Sequence, residues 1–427
     1  MGSLDLIVEK HTAHIRHGLE VLPTLRYGIP PALGNKRWTG ELILATYEQA
    51  MTGDLPKNGL EYRIGNSGGG FDALGWRYPN GHVKIDEDSV DLSIPLNRKL
   101  EGPEIRIPIP IYGGGMSYGS ISLNFMLARA RAAKRLRTFT STGEGGYPEQ
   151  LVPYKDHVIT QVATGMFGVR EETIQYAPIV EFKYAQGAKP GLGGHLLADK
   201  VTSEVAKMRE SSVFTSLYSP FPFHSVYSVE DHKKHVDWVR TVNPRALVSV
   251  KVSTPTDVDM VAIGSYYAGA NIIHIDGGYG GTGAAPEIAK KNIAMPLEYA
   301  IPRVHKYLLS EGVRDEIVLM ASGGIRTADD IAKAIALGAD GCVIATAEAV
   351  AVGCTHCGNC ERGRGCQVGI TTTDPELSLL MEPEWGEMRI VNLLNAWAKR
   401  FRQILAMHGL ESVRQLRGRT DLLVRYK

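Results

Sequence analysis

The chain has 427 residues, of which 44% are hydrophobic and 22% are charged, and its formal net charge is +1. This length and composition suit one large globular domain or two modest ones. The near-neutral charge gives no electrostatic argument for a nucleic-acid partner or a membrane surface. No apolar run has the length of a membrane helix, and the charged N-terminus lacks the core of a signal peptide, so we expect a cytoplasmic protein.

The first part of the chain, residues 1–100, shows no group of chemically reactive residues. We interpret it as an N-terminal arm and subdomain that packs on the main body. Thr39–Ala50 predicts a short helix, and Asn66–Gly70 predicts a loop. A role in docking a partner is the competing interpretation of this region.

From residue 101 onward, strand-like and helix-like segments alternate. Short apolar runs bounded by turn residues predict strands at Ile107–Ile111, Arg137–Thr140, Val158–Ala163, Ile179–Tyr184, Leu247–Val252, Ile272–Ile275, Ile317–Met320 and Cys342–Ala345. Helical spacing predicts helices at Ser122–Lys134, Ala198–Glu210, Val229–Thr241, Thr256–Ala268 and Leu297–Ser310. This rhythm over about 250 residues predicts an α/β protein with a (β/α)8 TIM barrel in residues 101–353. Helical stretches at Glu387–His408 and Leu410–Leu416 predict a C-terminal helical cap in residues 371–427.

The last two predicted strands end in turns of small residues that lead into helices. The first turn is Ser322-Gly323-Gly324 and the second is Ala345-Thr346. Backbone N–H groups at a helix N-terminus bind phosphate, and the shared phosphate site of these barrels follows the last two strands. Two ordinary tight turns would also contain glycine, but the pair in tandem favours a phosphorylated cofactor.

Four of the five cysteines form the pattern C-x2-C-x2-C-x5-C at Cys354, Cys357, Cys360 and Cys366. Buried structural cysteines do not cluster in this way, and a zinc site with four cysteines prefers two pairs separated by a longer spacer. Consecutive short spacings are typical of iron–sulfur clusters. We therefore predict an iron–sulfur loop in residues 354–370, with zinc and then a disulfide framework as the alternatives.

Chemistry in a (β/α)8 barrel occurs at the C-terminal ends of the strands. Lys251 ends an otherwise apolar strand, and because an unpaired buried ammonium is costly, we predict that it faces an anion, either a reduced flavin or a substrate carboxylate. Glu144 lies between glycines and could act as a base or bind ammonium, although a solvated turn residue is the alternative. The histidines show no metal-binding spacing and are interpreted mostly as surface or capping residues.

Eight segments in order resemble the FMN-binding synthase domain of the glutamate synthase family over roughly residues 100–375. The segments are GMSYGSIS (115–122), STGEGG (141–146), QGAKPGLGGH (186–195), SPFPFHSVYSVED (219–231), VSVKVS (248–253), GGTGAAP (280–286), SGGIRT (322–327) and CQVGITTTDPEL (366–377). The resemblance implies a (β/α)8 barrel with FMN in its mouth and an iron–sulfur cluster beside it. Electrons would pass from the cluster to FMN. Reduced FMN would deliver a hydride to 2-iminoglutarate, made from 2-oxoglutarate and ammonia, to give L-glutamate.

The resemblance also implies roles for individual residues. The implied FMN-binding residues are Met116, Ser117, Thr142, Gln186, Lys251, Gly277, Gly278, Ser322, Gly323, Gly324, Ala345 and Thr346. Of these, Met116, Ser117 and Thr142 would line the flavin ring, whereas Gly323–Gly324 and Ala345–Thr346 would hold the phosphate. The implied substrate-binding residues are Glu144, Gln186 and Lys189. Lys251 and Glu144 are the candidate catalytic residues, with Glu144 near the incoming ammonia.

Three departures from the family pattern matter. The family's cluster motif is C-x5-C-x4-C, which binds [3Fe-4S], whereas here the last gap is one residue longer and Cys357 is additional. A fourth thiolate could complete a [4Fe-4S] cluster, so both cluster types remain open. Leu192 replaces a family glutamate, and Gly278-Tyr279 stands ahead of Gly280 where the family has His-Asp.

The third departure is the lack of a glutaminase domain, a glycine-rich β-helix and a pyridine-nucleotide fold. These parts would be separate subunits, or free ammonia and a reduced carrier such as ferredoxin would serve. An FMN subunit similar to N-methylglutamate synthase is the first alternative function, but that chemistry is redox-neutral and needs no cluster. A non-catalytic electron-transfer or scaffold subunit is the second alternative.

Overall fold

A computed structural model describes residues 34–35, 37–57, 70–78, 85–282, 285, 287–358, 360, 366 and 368–426. The predicted N-terminal arm before residue 34 lies outside the described residues. The predicted loop at 66–70 also lies outside them, apart from Gly70. Nowhere in the described part is a helix both long and apolar enough to cross a membrane.

Eight parallel strands form the central sheet. They are β1 (Ile111–Gly113), β2 (Thr140–Ser141), β3 (Val158–Ala163), β4 (Ile179–Lys183), β5 (Leu247–Ser253), β6 (Ile272–Asp276), β7 (Val318–Ser322) and β8 (Gly341–Ile344). Strands β2 to β8 pair in chain order, and β8 pairs with β1. The ring closes where the Gly113 N–H donates to the Phe139 carbonyl at 2.8 Å and Gly115 bridges Ser141. The predicted TIM barrel is confirmed.

The first two strands differ from their predicted positions. The prediction of a strand at Ile107–Ile111 is wrong, because Arg106–Ile107 pairs with Ile94–Pro95 in a separate two-stranded sheet and β1 begins only at Ile111. Pro108 and Pro110 explain the shift, since a residue without an N–H cannot lie inside a central strand. The second predicted strand starts late because Arg137 has a φ of +54° and ends the preceding helix.

Thirteen α-helices surround the barrel or extend from it in the described residues. They are α1 (Gly40–Thr52), α2 (Leu123–Leu136), α3 (Glu171–Gln175), α4 (Ser203–Arg209), α5 (Val229–Val242), α6 (Val258–Tyr267), α7 (Glu287–Asn292), α8 (Leu297–Ser310), α9 (Ala328–Leu337), α10 (Thr346–Ala351), α11 (Pro375–Ser378), α12 (Pro383–Met407) and α13 (Val413–Leu416). Helix α9 has a cap at each end: Thr327 accepts from the Asp330 N–H at 3.0 Å, and Gly338 is the C-cap.

The connection after β4 is the longest in the barrel. It carries the antiparallel pair His195–Leu196 and Leu217–Tyr218. The helix predicted at Ala198–Glu210 is a 3₁₀ turn at Ala198–Lys200 followed by α4. The break follows from Thr202, whose hydroxyl caps the new helix by accepting from the Val205 N–H at 3.4 Å. This connection therefore places α4 beside the barrel mouth.

The N-terminal and C-terminal parts of the chain pack together outside the barrel. Helix α12 lies against α1 and α2, and Leu74–Trp76 pairs with Leu423–Arg425 in an antiparallel sheet. The helix predicted at Glu387–His408 begins earlier, because Pro383 occupies the first helical turn, where its missing N–H costs nothing.

Candidate active site at the barrel mouth

The loops after β1 and β2 meet over the ends of the first three strands. Gly143 has a φ of +68°, and a Cβ there would lie 2.6 Å from the Ser117 backbone nitrogen. A Cβ at Gly115 would lie 2.9 Å from Nε2 of Gln161. The backbone N–H of Gln161 donates to Oγ1 of Thr142 at 3.1 Å. The predicted residues Ser117 and Thr142 therefore lie close together because glycine leaves room for the approach.

The loops after β6, β7 and β8 meet on the other side of the mouth. Gly323 has a φ of +103°, and a Cβ there would lie 2.5 Å from the Gly277 carbonyl oxygen. A Cβ at Gly281 would lie 2.4 Å from Oγ1 of Thr346. The predicted segments Gly277–Gly278, Ser322–Gly324 and Ala345–Thr346 thus converge, and they form a cradle that a side chain at Gly281 or Gly323 would fill.

A charged pair lines a cleft at the ends of β3 and β4. Nζ of Lys183 lies 3.1 Å from Oε2 of Glu144 and donates to Oε1 of Gln186 at 2.5 Å. Lys189 and Phe221 also line this cleft. The three predicted substrate-binding residues, Glu144, Gln186 and Lys189, therefore share one cleft.

The carboxyl group of Glu144 stays ionised although its side chain is only 16% exposed. Burial raises the pKa of Glu144, but the positive charges of Lys183, Lys189 and Arg209 outweigh it, so the pKa lies below its usual value. The ionised carboxylate can only accept hydrogen bonds, and the cations around it can pair with an anion.

Arg209 on α4 is a site residue that the sequence interpretation missed. Its side chain is 4% exposed, and Nη2 donates to Oγ of Ser117 at 3.0 Å and to the Tyr118 carbonyl at 2.9 Å. Burial lowers the pKa of Arg209 to about 10, although Glu144 opposes the shift. Among the described residues, the buried Nε has no hydrogen-bond partner. One donor of the guanidinium is therefore left for a ligand.

The interior of the barrel holds a second polar group that was also missed. The carboxylate of Glu181 on β4 accepts from Nε2 of Gln161 at 2.7 Å and from Oγ of Ser249 at 3.1 Å. Nδ1 of His274 on β6 lies 3.0 Å from the same carboxylate. Burial raises the pKa of Glu181, but His274, Lys251 and Gln161 outweigh it and bring the pKa to about 2. Glu181 is therefore an interior anion.

Lys251 faces a carboxylate of the chain itself, and the predicted contact with a flavin or a substrate carboxylate stays a prediction. Its Nζ is 3.5 Å from Oδ2 of Asp276 at the end of β6. The same carboxylate oxygen accepts from the Gly187 N–H at 2.9 Å. Asp276 thus connects Lys251 to the Gln186–Gly187 turn that lines the cleft.

The cysteine loop lies beside the barrel, where Nζ of Lys200 donates to the Cys360 carbonyl at 2.7 Å. All four predicted ligands are free thiols, of which Cys357 is exposed. Burial raises the pKa of Cys354, and Cys366, Cys360 and Cys357 raise it further. No group of three or more His, Cys, Asp or Glu side chains is arranged for a metal among described residues, which omit 359, 361–365 and 367 of this loop.

Comparisons with known proteins agree with the barrel and its motifs. A family model described as "Conserved region in glutamate synthase" matches residues 80–411. The archaeal-type glutamate synthase [NADPH] of Thermotoga maritima is 41% identical over 342 residues, which cover 80% of this chain and 67% of that protein. The archaeal glutamate synthase [NADPH] of Methanocaldococcus jannaschii is 44% identical over 341 residues, which cover 79% and 67%.

A mutant flavocytochrome b2 with pyruvate bound has a similar fold. Its TM-score is 0.52 at 14% identity, over 97% of this chain and 91% of that chain. At this identity the likeness concerns the barrel alone. The match over residues 80–411 and the two relatives show that the chain belongs to the glutamate synthase family.

Proposed function

We propose that this chain is the synthase component of a glutamate synthase. In this reaction 2-oxoglutarate and ammonia condense to 2-iminoglutarate with loss of water, and reduction of the imine gives L-glutamate. The observation that carries the proposal is the cleft at the barrel mouth, where ionised Glu144 lies among Lys183, Lys189 and Arg209. This arrangement offers one anionic group for ammonium and several cations for a dicarboxylate.

Glu144 would bind the ammonium ion and accept a proton as the nitrogen attacks the carbonyl carbon. Loss of the hydroxyl group as water from the resulting carbinolamine needs a proton in return. A carboxyl group that takes the first proton can supply the second, so one residue can serve both steps. Lys183, which is 3.1 Å from Glu144, would keep the carboxylate ionised between turnovers.

The two carboxylates of 2-oxoglutarate would be held by the cations of the cleft. Arg209 has a buried Nε that is not used within the described residues, and guanidinium pairs strongly with carboxylate. Lys189 lines the same cleft, and Lys251 lies one layer below it at the end of β5. Leu192 stands where the family has a glutamate, so the substrate contacts near Gly191 and Gly193, which line the cleft, would differ from those of the family.

FMN fits the glycine-lined loops of the mouth. Gly277, Gly278, Gly323, Gly324, Ala345 and Thr346 would hold its phosphate, where a side chain at Gly323 would collide with the Gly277 carbonyl. Met116, Ser117, Thr142, Gln186 and Lys251 would contact the ring, and Ser322 would support the phosphate loop from below. When bound, FMN supplies the hydride that reduces the imine carbon. The loops of the barrel mouth would exclude water and hold the substrate in place.

We further infer that Cys354, Cys357, Cys360 and Cys366 hold an iron–sulfur cluster of the [3Fe-4S] or [4Fe-4S] type. Their C-x2-C-x2-C-x5-C spacing supports this donor set. Such a cluster supplies single electrons to the flavin site. Thiols kept for a cluster fit a reducing compartment, so we place the protein in the cytoplasm.

The partners are inferred from the family. The two relatives are named for NADPH and are longer than the matched region, which covers 67% of each. We propose a separate electron-donor subunit or ferredoxin, a glutaminase subunit and a glycine-rich β-helix subunit. The names of the relatives favour glutamate synthesis over an N-methylglutamate synthase-like reaction or a scaffold role.

Glutamate formation by the purified chain tests the proposal. Anaerobic protein with bound FMN is supplied with 2-oxoglutarate, ammonium and reduced methyl viologen, and L-glutamate is measured over time. We expect glutamate only when all three are present. Exchange of methylamine into glutamate without reductant would instead establish the alternative, and neither product from FMN-loaded protein would contradict an enzymatic role.

A further inference from the structure

The charged groups inside the barrel are joined by one chain of short hydrogen bonds. Nδ1 of His274 lies 3.0 Å from Oε2 of Glu181, and Nε2 of His274 lies 2.7 Å from Oγ of Ser322. The Ser322 hydroxyl lies 2.6 Å from Oδ1 of Asp276. All four side chains are buried, and His274 is 1% exposed. Bulk water therefore does not satisfy any of these contacts.

The ionisation of the two carboxylates follows from their partners. Glu181 accepts from Gln161 and Ser249 as well as facing His274. Asp276 accepts from the Gly187 N–H and lies beside the Lys251 ammonium. Several donors directed at each group favour the charged form. Both carboxylates can then only accept hydrogen bonds.

The protons of the chain can now be placed. Ser322 has a single hydroxyl proton, and it must point to Asp276, which can only accept. The proton between His274 and Ser322 must therefore come from Nε2. The proton between His274 and Glu181 must come from Nδ1 for the same reason. Both ring nitrogens carry protons.

We propose that His274 is a buried imidazolium that acts as a positioning residue. Through Ser322 it orients the Asp276 carboxylate, which in turn holds Lys251 and the Gln186–Gly187 turn of the cleft. The effect on substrate rests on the proposed function of that cleft, whereas the two protons on His274 do not. The charges of the four groups then sum to zero, with Glu181 and Asp276 negative and His274 and Lys251 positive.

The neighbouring groups do not offer another arrangement. Tyr112 on β1 approaches His274 edge-on, with ring centroids 6.5 Å apart, and burial raises its pKa so that it stays neutral. A neutral His274 protonated on Nδ1 would leave two lone pairs facing each other across the 2.6 Å contact between Ser322 and Asp276. A neutral His274 protonated on Nε2 would leave them facing each other across the 3.0 Å contact with Glu181. Moving the extra proton onto Asp276 would neutralise the group that Lys251 and the Gly187 N–H stabilise as an anion.

Nitrogen NMR on the full chain labelled with ¹⁵N-histidine tests the proton placement. The His274 resonances, identified by their loss in His274→Gln, should show two protonated ring nitrogens at neutral pH. In Asp276→Asn the amide group can donate to Ser322, whose hydroxyl then points to Nε2. We therefore expect one protonated nitrogen on His274 in that variant. His157, whose Nδ1 lies 2.9 Å from the Thr138 carbonyl, is the control and should not change.

A single protonated nitrogen on His274 in the unsubstituted protein would overturn the proposal, whatever the variant does. The positioning role is tested by the KM for 2-oxoglutarate, which should rise about 10-fold in His274→Gln because a charge-assisted hydrogen bond to Ser322 is lost. An unchanged KM in the folded, FMN-loaded His274→Gln variant would overturn that role. If the unsubstituted protein makes no glutamate, the proposed function fails, and the NMR result still decides the state of His274.

Discussion

Lys251 is a buried cation whose ammonium lies 3.5 Å from Asp276. Lys251→Ala should lower glutamate formation at least about 100-fold, since the variant lacks the cation proposed to face the flavin or the substrate. The iron content should stay the same. Lys99→Ala is a matched control, because Lys99 is also a partly buried lysine but lies over the Tyr266 ring, away from the mouth. Turnover equal to that of the control would remove Lys251 from the active site.

Glu144 is the group proposed to bind ammonium. Glu144→Gln keeps the shape of the side chain and removes its charge, so the KM for ammonium should rise about 10-fold or more, with a smaller change in the KM for 2-oxoglutarate. Steady-state rates over a range of ammonium concentrations measure the effect. Because the pKa of Glu144 is lowered, ammonium binding by the unsubstituted enzyme should not weaken between pH 7 and pH 5 through this residue. A variant with an unchanged KM for ammonium would assign Glu144 to a structural turn.

Glu181 makes stability depend on pH. Its pKa is about 2 in the folded state against a usual 4.5, so its contribution is present above about pH 4.5 and is lost as the pH falls toward 2. The full contribution is on the order of 3 kcal/mol. The difference in unfolding free energy between the unsubstituted protein and Glu181→Gln should therefore shrink from pH 6 to pH 3. A difference that is constant over this range would show that the carboxylate does not titrate in this way.

The missed site residues separate into two kinds. Glu181, Lys183 and His274 lie in apolar strands, so the argument that identified Lys251, that a charge in a buried strand needs a partner, applies to each of them. Arg209 lies on a short helix outside the barrel. Its side chain reaches Ser117 only because the connection after β4 folds back over the mouth, which no local pattern indicates.

Among the elements, the loop after β7 places the strictest demand on a single residue. Gly323→Ala adds a methyl group 2.5 Å from the Gly277 carbonyl at a φ of +103°, so the loops must move apart. We expect the FMN content of the purified protein to fall at least about 10-fold, because the phosphate cradle is displaced. Gly312→Ala is the control, since Gly312 also has a positive φ, +74°, but nothing lies within 4 Å of its added carbon. Equal FMN loss in both variants would point to general instability.

The cysteine loop is tested by comparing two cysteines. Cys360→Ser should abolish the cluster absorbance and lower the iron content while FMN remains bound, because a thiolate ligand is lost. Cys342→Ser is the control, since Cys342 is buried in β8 outside the loop. Iron per chain and FMN per chain are measured for both proteins. A normal iron content in Cys360→Ser would contradict the ligand assignment.

Most elements of the barrel follow from sequence patterns, because parallel strands covered on both faces are continuous apolar runs. Val158–Ala163 and Leu297–Ser310 have the predicted bounds. The exceptions have local causes: two prolines displace β1, and Thr202 starts a new helix in a stretch predicted as one. The sequence predicted that the turns after β7 and β8 lie together. The approach of Gly281, in the loop after β6, to Thr346 depends on the closure of the barrel.

At the scale of the whole molecule, the segments before and after the barrel make ion pairs with the start of α9. This helix follows the glycine loop proposed to bind the FMN phosphate. Asp72 pairs with Arg326 at 2.7 Å, and Arg400 on α12 pairs with Asp329 at 2.9 Å. Both contacts join segments distant in sequence to the turn after β7. We therefore expect the barrel residues alone to bind FMN less tightly than the full chain.

The most direct measurement is a single turnover followed by absorbance under anaerobic conditions. The protein is first analysed for FMN and iron, reduced with one equivalent of dithionite per reducible group, and mixed with 2-oxoglutarate and ammonium. The account predicts flavin reoxidation that needs both substrates, with one L-glutamate formed per flavin reoxidised. A rate of flavin reoxidation that is the same with and without 2-oxoglutarate and ammonium would contradict the central claim. Flavin that stays reduced in the presence of both substrates would contradict it as well.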